Sequence, residues 1–377
     1  MTLSPIKNRW VNADGKAQAN NTKPSKKKNG EDFVLLRIQQ VFGKKFVSPS
    51  RIRGGAKFVA VGIGDDAALI RPAKNHEVTL TCDWFLEGTH FIKDTHPADS
   101  IGWKCLARAL SDVAAMGGAP RCFLLSLAFP APSESSPEWL DDFLAGLSRA
   151  ARRFNCQLAG GDTTRRREVL INITVAGEVA AGNAVRRSGA RAGDIIYVSG
   201  RLGEAEAGFH LITHGRGVSD GRRLSDSRNL GPCLRKHLYP EPRLELGKWL
   251  AQNRLATAMM DLSDGLSSDL RRLCDASNAG AVVQSAKLPT VHVLNGERMS
   301  RSEALRLALH GGDDYELLFT VKKRNAGKIP SSLNGVPVTA IGEITGRREL
   351  QLLDEEGSSQ ILEPGGWDAF RRNNPAK

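Results

Sequence analysis

The stretch MMDLSDGLSSDL, residues 259–270, sets Asp261, Asp264 and Asp269 beside an apolar segment with no Lys or Arg among them. Two chemistries compete for that much negative charge. Ser and Asp are favoured helix N-caps, and Asp in a first turn complements the helix dipole, so a helix starting near Ser263 would use the acids as caps. The alternative is a divalent cation, because carboxylate oxygens are what Mg²⁺ prefers. Asp261 and Asp264 are three apart and share a face if the chain there is helical.

Acidic clusters recur along the chain, mostly beside Gly: GIGDD (Asp65, Asp66), TCDWF (Asp83), LSD (Asp112), GGDTT (Asp162) and GGDDYE (Asp313, Asp314, Glu316). Each alone reads as turn chemistry. Together they raise a cost, because gathered like charges are unfavourable unless cations compensate them. Several Mg²⁺ ions bridging carboxylates and a polyphosphate would do so. Alternation in EVTLTCDWF puts Thr81 and Asp83 on one strand face and Val78, Leu80 and Cys82 on the other. That supports a joint role for Thr81 and Asp83, although strands also carry Thr for packing.

Basic residues that could meet a phosphate are fewer. RRSG offers Arg186 and Arg187, whose forks suit phosphate oxygens. SGRLGEAEAG offers a Gly-rich turn into a helix N-terminus, a weak phosphate signal by itself. No Gly-x4-Gly-Lys-[Ser/Thr] motif occurs and the protein-kinase signatures are missing, so any ATP chemistry must work through metals. His90 alone reads as an ordinary histidine, and Trp367 in GGWDAF reads equally well as a core anchor or a binding face.

Elements must position these residues. Helical spacing marks EDFVLLRIQQVF, with Phe33, Leu36 and Val41 toward one side. KFVAVGIGDDAALI reads as strand, turn, strand, and EVTLTCDWF as a strand. A helix follows in DSIGWKCLARALSDVAAMGG, capped by Asp99 or Ser100 and ended by Gly117-Gly118 before Pro120. RCFLLSLAFP is a buried strand, SPEWLDDFLAGLSRAARRF an amphipathic helix and VLINITVAGEV another strand. The second half offers strands in GDIIYVSG and YELLFTV and helices in GEAEAGFHLI, SSDLRRLCDAS and ALRLALHGG. Without regular βαβα alternation, this mixture predicts α+β domains. The predicted division is a disordered basic tail over 1–30, an N-terminal domain over 31–180 and a C-terminal domain over 181–377. GRGVSDGRRLSDSRNLGP reads as a surface insertion near 215–230.

The 377 residues suffice for two domains, and 41% hydrophobic and 25% charged residues suit a soluble globular chain. No long apolar run predicts a membrane span, and no apolar leader marks a signal peptide. Six scattered Cys without a Cys-x-x-Cys pair argue against a zinc site or disulfide framework and favour a reducing cytoplasm. The net charge of +12 invites nucleic acid. Residues 1–30, however, hold seven Lys or Arg against Asp14 alone, which is half of that charge in a polar tail. The remainder is mild, which weakens the nucleic-acid reading.

From about Glu31 to Phe370 the chain resembles the thiamine-monophosphate kinase family, within the superfamily that includes aminoimidazole ribonucleotide synthetase. GIGDDAALI, ALSDVAAMGGAP, GGDTT, RSGARAGD, DLSDGLSSDL and GGDDYELLF carry the resemblance, in the family's order and spacing. It implies a two-domain α+β fold of the aminoimidazole ribonucleotide synthetase type, with an N-terminal mixed or antiparallel sheet domain that forms a homodimer and a C-terminal α+β domain. It implies transfer of the ATP γ-phosphoryl group to thiamine phosphate, giving thiamine diphosphate and ADP, with several Mg²⁺ ions. By the resemblance, the metal ligands are Asp66, Thr81, Cys82, Asp83, Asp112, Asp162, Asp261 and Asp264. ATP would contact Gly161, Arg187 and Ser263, and thiamine phosphate would contact His90, Asp313 and Trp367. Cys82 stands where Thr is usual, and Asp313 where Glu is usual, one methylene shorter. The alternatives are a related ATP-dependent synthetase with another small substrate, and a basic RNA-associated protein without activity.

Overall fold

In the computed structural model, which describes residues 31–42, 58–63, 66–131, 137–213, 230–294 and 297–371, the first half builds a four-stranded sheet with helices on one face. Its elements are α1 (Glu31–Phe42), β1 (Val59–Val61), β2 (Leu69–Ile70), β3 (His76–Leu86), α2 (Ala98–Ala115), β4 (Ala119–Phe129), α3 (Pro137–Arg153), β5 (Gln157–Arg165) and β6 (Leu170–Ala180). The sheet order is β3-β6-β4-β5, with β4 and β5 parallel and the other pairs antiparallel. Phe123, Leu125 and Leu127 of β4 alternate inward with Ile171, Ile173 and Val175 of β6, against Leu106, Leu110 and Leu147 of α2 and α3. These side chains are fully buried, and truncating one such Leu or Phe to Ala would cost about 2–5 kcal/mol. The opposite face leaves Val78, Leu80, Trp84 and Leu124 exposed.

Strand β5 is an addition to the sequence reading, which assigned no element to QLAGGDTTR. Two glycines and Asp162 make it look like a turn. Its pairing with β4 explains them: a Cβ on Gly161 would meet the Leu125 carbonyl oxygen at 1.9 Å, so only glycine allows the backbones this close.

The second half contains β7 (Ile195–Ser199), α4 (Glu204–Thr213), α5 (Pro232–Leu238), α6 (Leu244–Gln252), β8 (Ala256–Leu262), α7 (Leu266–Ser277) and β9 (Gly280–Gln284). It continues with β10 (Val293–Leu294), β11 (Glu297–Arg298), α8 (Arg301–His310), β12 (Glu316–Val321), β13 (Ser332–Leu333), β14 (Val336–Thr345), β15 (Leu350–Leu353) and β16 (Ser359–Ile361). A mixed sheet runs β16-β15-β9-β14-β7-β12-β8, with β13 beside β14. Both its faces are covered, which is why Met259 and Met260, and Leu317, Leu318 and Phe319, are apolar at consecutive positions. Met260 and Leu318 face α7, whereas Met259, Leu317 and Phe319 face α6 and the end of α2.

Helix α2 therefore belongs to both halves. It packs on α3 and, through Ala114 and Ala115, on α6. A Cβ on Gly247 of α6 would lie 2.0 Å from the Ala114 carbonyl oxygen, so glycine sets that close crossing. Neither Asp99 nor Ser100 caps α2, contrary to expectation; the N-cap is Pro97. The Ser100 hydroxyl donates to the Pro97 carbonyl at 2.7 Å, and Asp99 accepts from Tyr239 and Arg149 instead. The tail over 1–30 and nearly all of the 215–230 insertion lie outside the described residues. Among the described residues no helix is long and apolar enough to cross a membrane.

Candidate active site

Helix α2 carries Lys104, Arg108 and Asp112 at successive i, i+4 positions, a polar stripe on an otherwise apolar helix. Its Arg108 and Asp112 line a cleft of about 220 Å³ between the halves, and Lys104 pairs with Asp313 of that lining. Strand β3 brings Asp83 to it, and the end of β8 brings Asp261, Ser263 and Asp264. The loop before β12 brings Asp313 and Tyr315, and the C-terminal segment brings Trp367. Backbone bonds lace these pieces together. Asp313 N–H donates to the Ser263 carbonyl at 2.8 Å, Tyr315 N–H to Leu262 at 2.8 Å, and Trp367 N–H to Asp264 at 2.9 Å. Asp313 and Tyr315 both sit in the left-handed region, at φ 69° and 49°. Such conformations cost about 1–3 kcal/mol each and persist where the surroundings over-determine them.

Five carboxylates line the cleft: Asp83, Asp112, Asp261, Asp264 and Asp313. Asp261 is only 4% exposed, and burial, then Asp112 and Asp269, push its carboxyl well above the usual carboxylate range. Asp83 is raised by burial against the pull of Arg108, with Asp112, Asp264 and Asp313 adding to the rise. The Thr81 hydroxyl donates to the Asp112 carboxylate. Among the described residues no three acidic, imidazole or thiol side chains converge into an all-protein metal cage. An oxygen-rich, open arrangement suits Mg²⁺, which keeps waters and shares its shell with phosphates.

The opening acids divide. Asp261 lies in β8 and helix α7 begins at Leu266, so Asp261 and Asp264 do not share a helical face as the spacing suggested; a strand and a turn bring them to one cleft. Capping is the role of Asp269, whose Oδ2 accepts from the N–H groups of Ser263, Asp264 and Gly265 at 3.0–3.1 Å. Burial, then Asp264, raises Asp269 to about 7. Arg272, one turn on, bonds Asp264 and Asp269 at 2.6 Å each. The N-terminus of α4 is not open to phosphate either. Asp314 occupies it, accepting from Gly203 N–H at 2.6 Å and Ala205 N–H at 3.1 Å.

Residues 64–179 match the family model "AIR synthase related protein, N-terminal domain", and residues 191–355 match its C-terminal domain model. The chain is 37% identical over 322 residues to thiamine-monophosphate kinase of Escherichia coli strain K12, covering 85% of this chain and 95% of that protein. The chain belongs to the thiamine-monophosphate kinase family. The crystal structure of that kinase from Stenotrophomonas maltophilia K279a superposes with a TM-score of 0.73 at 34% identity, over 88% of this chain and 99% of that one. A solved structure described as AaThiL complexed with AMPPCP and TMP gives a TM-score of 0.67 at 28% identity, over 90% and 97% of the two chains.

Of the residues that the resemblance to thiamine-monophosphate kinase implied, eight line the cleft: Asp83, His90, Asp112, Asp261, Ser263, Asp264, Asp313 and Trp367. Thr81 reaches it through Asp112. Five do not line it. Asp66 is exposed beyond β1. The exposed Cys82 side chain lies on the other face of β3, where Asn172 Nδ2 donates to its sulfur at 3.1 Å. Gly161 and Asp162 lie in β5, Asp162 accepting from Thr163 N–H at 2.9 Å. Arg187 is exposed, its carbonyl accepting from Ser277 at 3.1 Å. His90 Nδ1 accepts from Leu86 N–H at 3.1 Å.

Sequence reasoning passed over Lys104, Arg108, Tyr315 and Arg272. Lys104 Nζ meets Asp313 at 3.0 Å, and the Tyr315 hydroxyl donates to Asp313 at 2.7 Å. The spacing of Lys104, Arg108 and Asp112 along an apolar helix was the signal that could have found the first two.

Proposed function

We propose that the chain catalyses the Mg²⁺-dependent transfer of the ATP γ-phosphoryl group to thiamine phosphate, giving thiamine diphosphate and ADP. The observation that carries the reading is the gathering of Asp83, Asp112, Asp261 and Asp264 around one cleft in a chain of this family. The acceptor is a phosphate monoester, already largely ionised near neutral pH. One of its oxygens bonds to the γ-phosphorus while the bridging bond to the β-phosphate breaks and ADP leaves with the electron pair. No strong general base is required, and positioning with charge neutralisation supplies the catalysis. Bound at the four carboxylates, Mg²⁺ would neutralise the polyphosphate and orient it for in-line attack.

Asp66, Thr81, Cys82 and Asp162 as further metal ligands, and Gly161, Arg187 and Ser263 as ATP contacts, rest on the resemblance. On the acceptor side, Trp367 would offer an indole face to the thiazolium cation, and His90 and Asp313 line the same cleft. The exposed Val78, Leu80, Trp84 and Leu124 share one sheet and support a homodimer formed through it. Six free cysteines support a cytoplasmic location. The direct test incubates purified protein with Mg-ATP and thiamine phosphate and identifies the product by mass. Thiamine diphosphate with matching ADP is expected; ADP without thiamine diphosphate would overturn the reading.

A further inference from the structure

Arg108 lines the cleft, and two of its three guanidinium nitrogens meet no acceptor. Its Nε and Nη1 atoms are enclosed, and neither has a hydrogen-bond partner among the described residues. The guanidinium carbon lies 5.1 Å over the centre of the Phe85 ring, so one face is covered by an aromatic surface. Asp83, Asp264, Asp313 and Tyr315 act on it electrostatically, yet none accepts from these two nitrogens. Lys104, one turn earlier, is committed to Asp313. Arg108 is thus the one Lys or Arg side chain among the described residues lining the cleft.

Enclosed donors without acceptors are unfavourable, and a ligand that supplies oxygens removes the penalty. A phosphate oxygen at either nitrogen would make a charge-assisted hydrogen bond. Five of the other lining residues are Asp, so an anionic acceptor has no other Lys or Arg in the lining to receive it. Phe85 also packs on His90, with centres 5.8 Å apart, which places Arg108 beside the acceptor side of the cleft. We propose that Arg108 binds the phosphate of the acceptor and thereby separates a phosphate monoester from the corresponding free alcohol. The assignment rests on the kinase reading for its substrate. An alcohol in the same place would leave these nitrogens without an anionic acceptor, the situation in which a polar site rejects an analogue most strongly.

The test uses the full chain with Mg²⁺ and a non-hydrolysable ATP analogue. Calorimetry gives Kd for thiamine phosphate and for thiamine with wild type, Arg108→Gln and Arg108→Lys, and a melting curve checks each fold. Wild type is expected to prefer thiamine phosphate. Arg108→Gln should weaken thiamine phosphate by about ten- to a hundredfold, the worth of a charge-assisted bond. Thiamine binding and KM for ATP should stay within about twofold, and Arg108→Lys, which keeps the charge and protects the fold, should recover part of the loss. Equal weakening of thiamine and thiamine phosphate, a rise in ATP KM instead, or no preference in wild type would overturn the assignment. Failure of the kinase reading is distinguishable: wild type would bind thiamine phosphate yet form no thiamine diphosphate.

Discussion

Lys104 and Asp313 meet at 3.0 Å inside the molecule, and the pair ties helix α2 to the loop that precedes β12. Lys104 is 2% exposed, and its Nζ also lies 3.4 Å from His237 Nδ1. His237 in turn meets His96, Nε2 to Nε2, at 3.0 Å. Burial, then Lys104, lowers His96 to about 4, which keeps that ring neutral at physiological pH. A polar chain thus runs from the cleft into the contact between the two halves.

Removing the cation should be felt as stability before it is felt as chemistry. Lys104→Met is expected to cost about 3–5 kcal/mol, because it removes one partner of a buried ion pair. Adding Asp313→Asn to that variant should restore part of the loss. Chemical denaturation of the two single variants and the double variant gives the coupling; strict additivity would show that the pair is not the cause.

Glu316 supplies a pH test. Burial alone would raise its carboxyl, but Lys236 and Arg243 outweigh burial and hold it at about 2. Arg243 Nε donates to it at 2.6 Å and the Ser199 hydroxyl at 2.5 Å. Because the folded value lies below the ordinary 4.5, this stabilisation is full above pH 4.5 and is lost as pH falls through 2. Glu316→Gln should therefore lower the melting temperature strongly at pH 7, and the gap to wild type should narrow between pH 4.5 and 2. A gap independent of pH would contradict the charge argument.

Trp367 lines the cleft and belongs to none of the apolar clusters formed by the described residues. That favours the binding face over the core anchor. Trp367→Ala is expected to raise KM for thiamine phosphate by about two- to thirtyfold, from a cation–π worth of roughly 0.5–2 kcal/mol. KM for ATP should move less than about twofold, and Trp367→Phe should recover part of the effect. Equal damage to both substrates with a lower melting temperature would restore the anchor reading.

The sequence made the acids legible because repeated Asp beside Gly has few cheap structural explanations. It made β3, β6 and α2 legible because their apolar periods are clean. Strand β5 was hidden: Gly161 is there for close approach to Leu125, and glycine reads locally as a turn. Asp269 stood in the same acidic stretch with capping and metal binding both open, and its partners, backbone N–H groups and Arg272, are visible only in the fold. Arg108 belongs to no motif that singles it out in the sequence. Its meaning depends on Phe85 and Tyr315, which only the tertiary fold brings near.

The most direct measurement compares the rate of thiamine diphosphate formation by wild type and Asp261→Asn across a Mg²⁺ titration, beside melting curves without metal. Asp261 is buried among like charges, so the account predicts a variant that folds at least as well as wild type without metal. Its turnover should fall by at least about a hundredfold, since charge neutralisation and positioning supply most of the catalysis. The wild-type rate should saturate with Mg²⁺ and vanish in a chelator. A well-folded Asp261→Asn that keeps near-wild-type turnover at limiting Mg²⁺ would contradict the account.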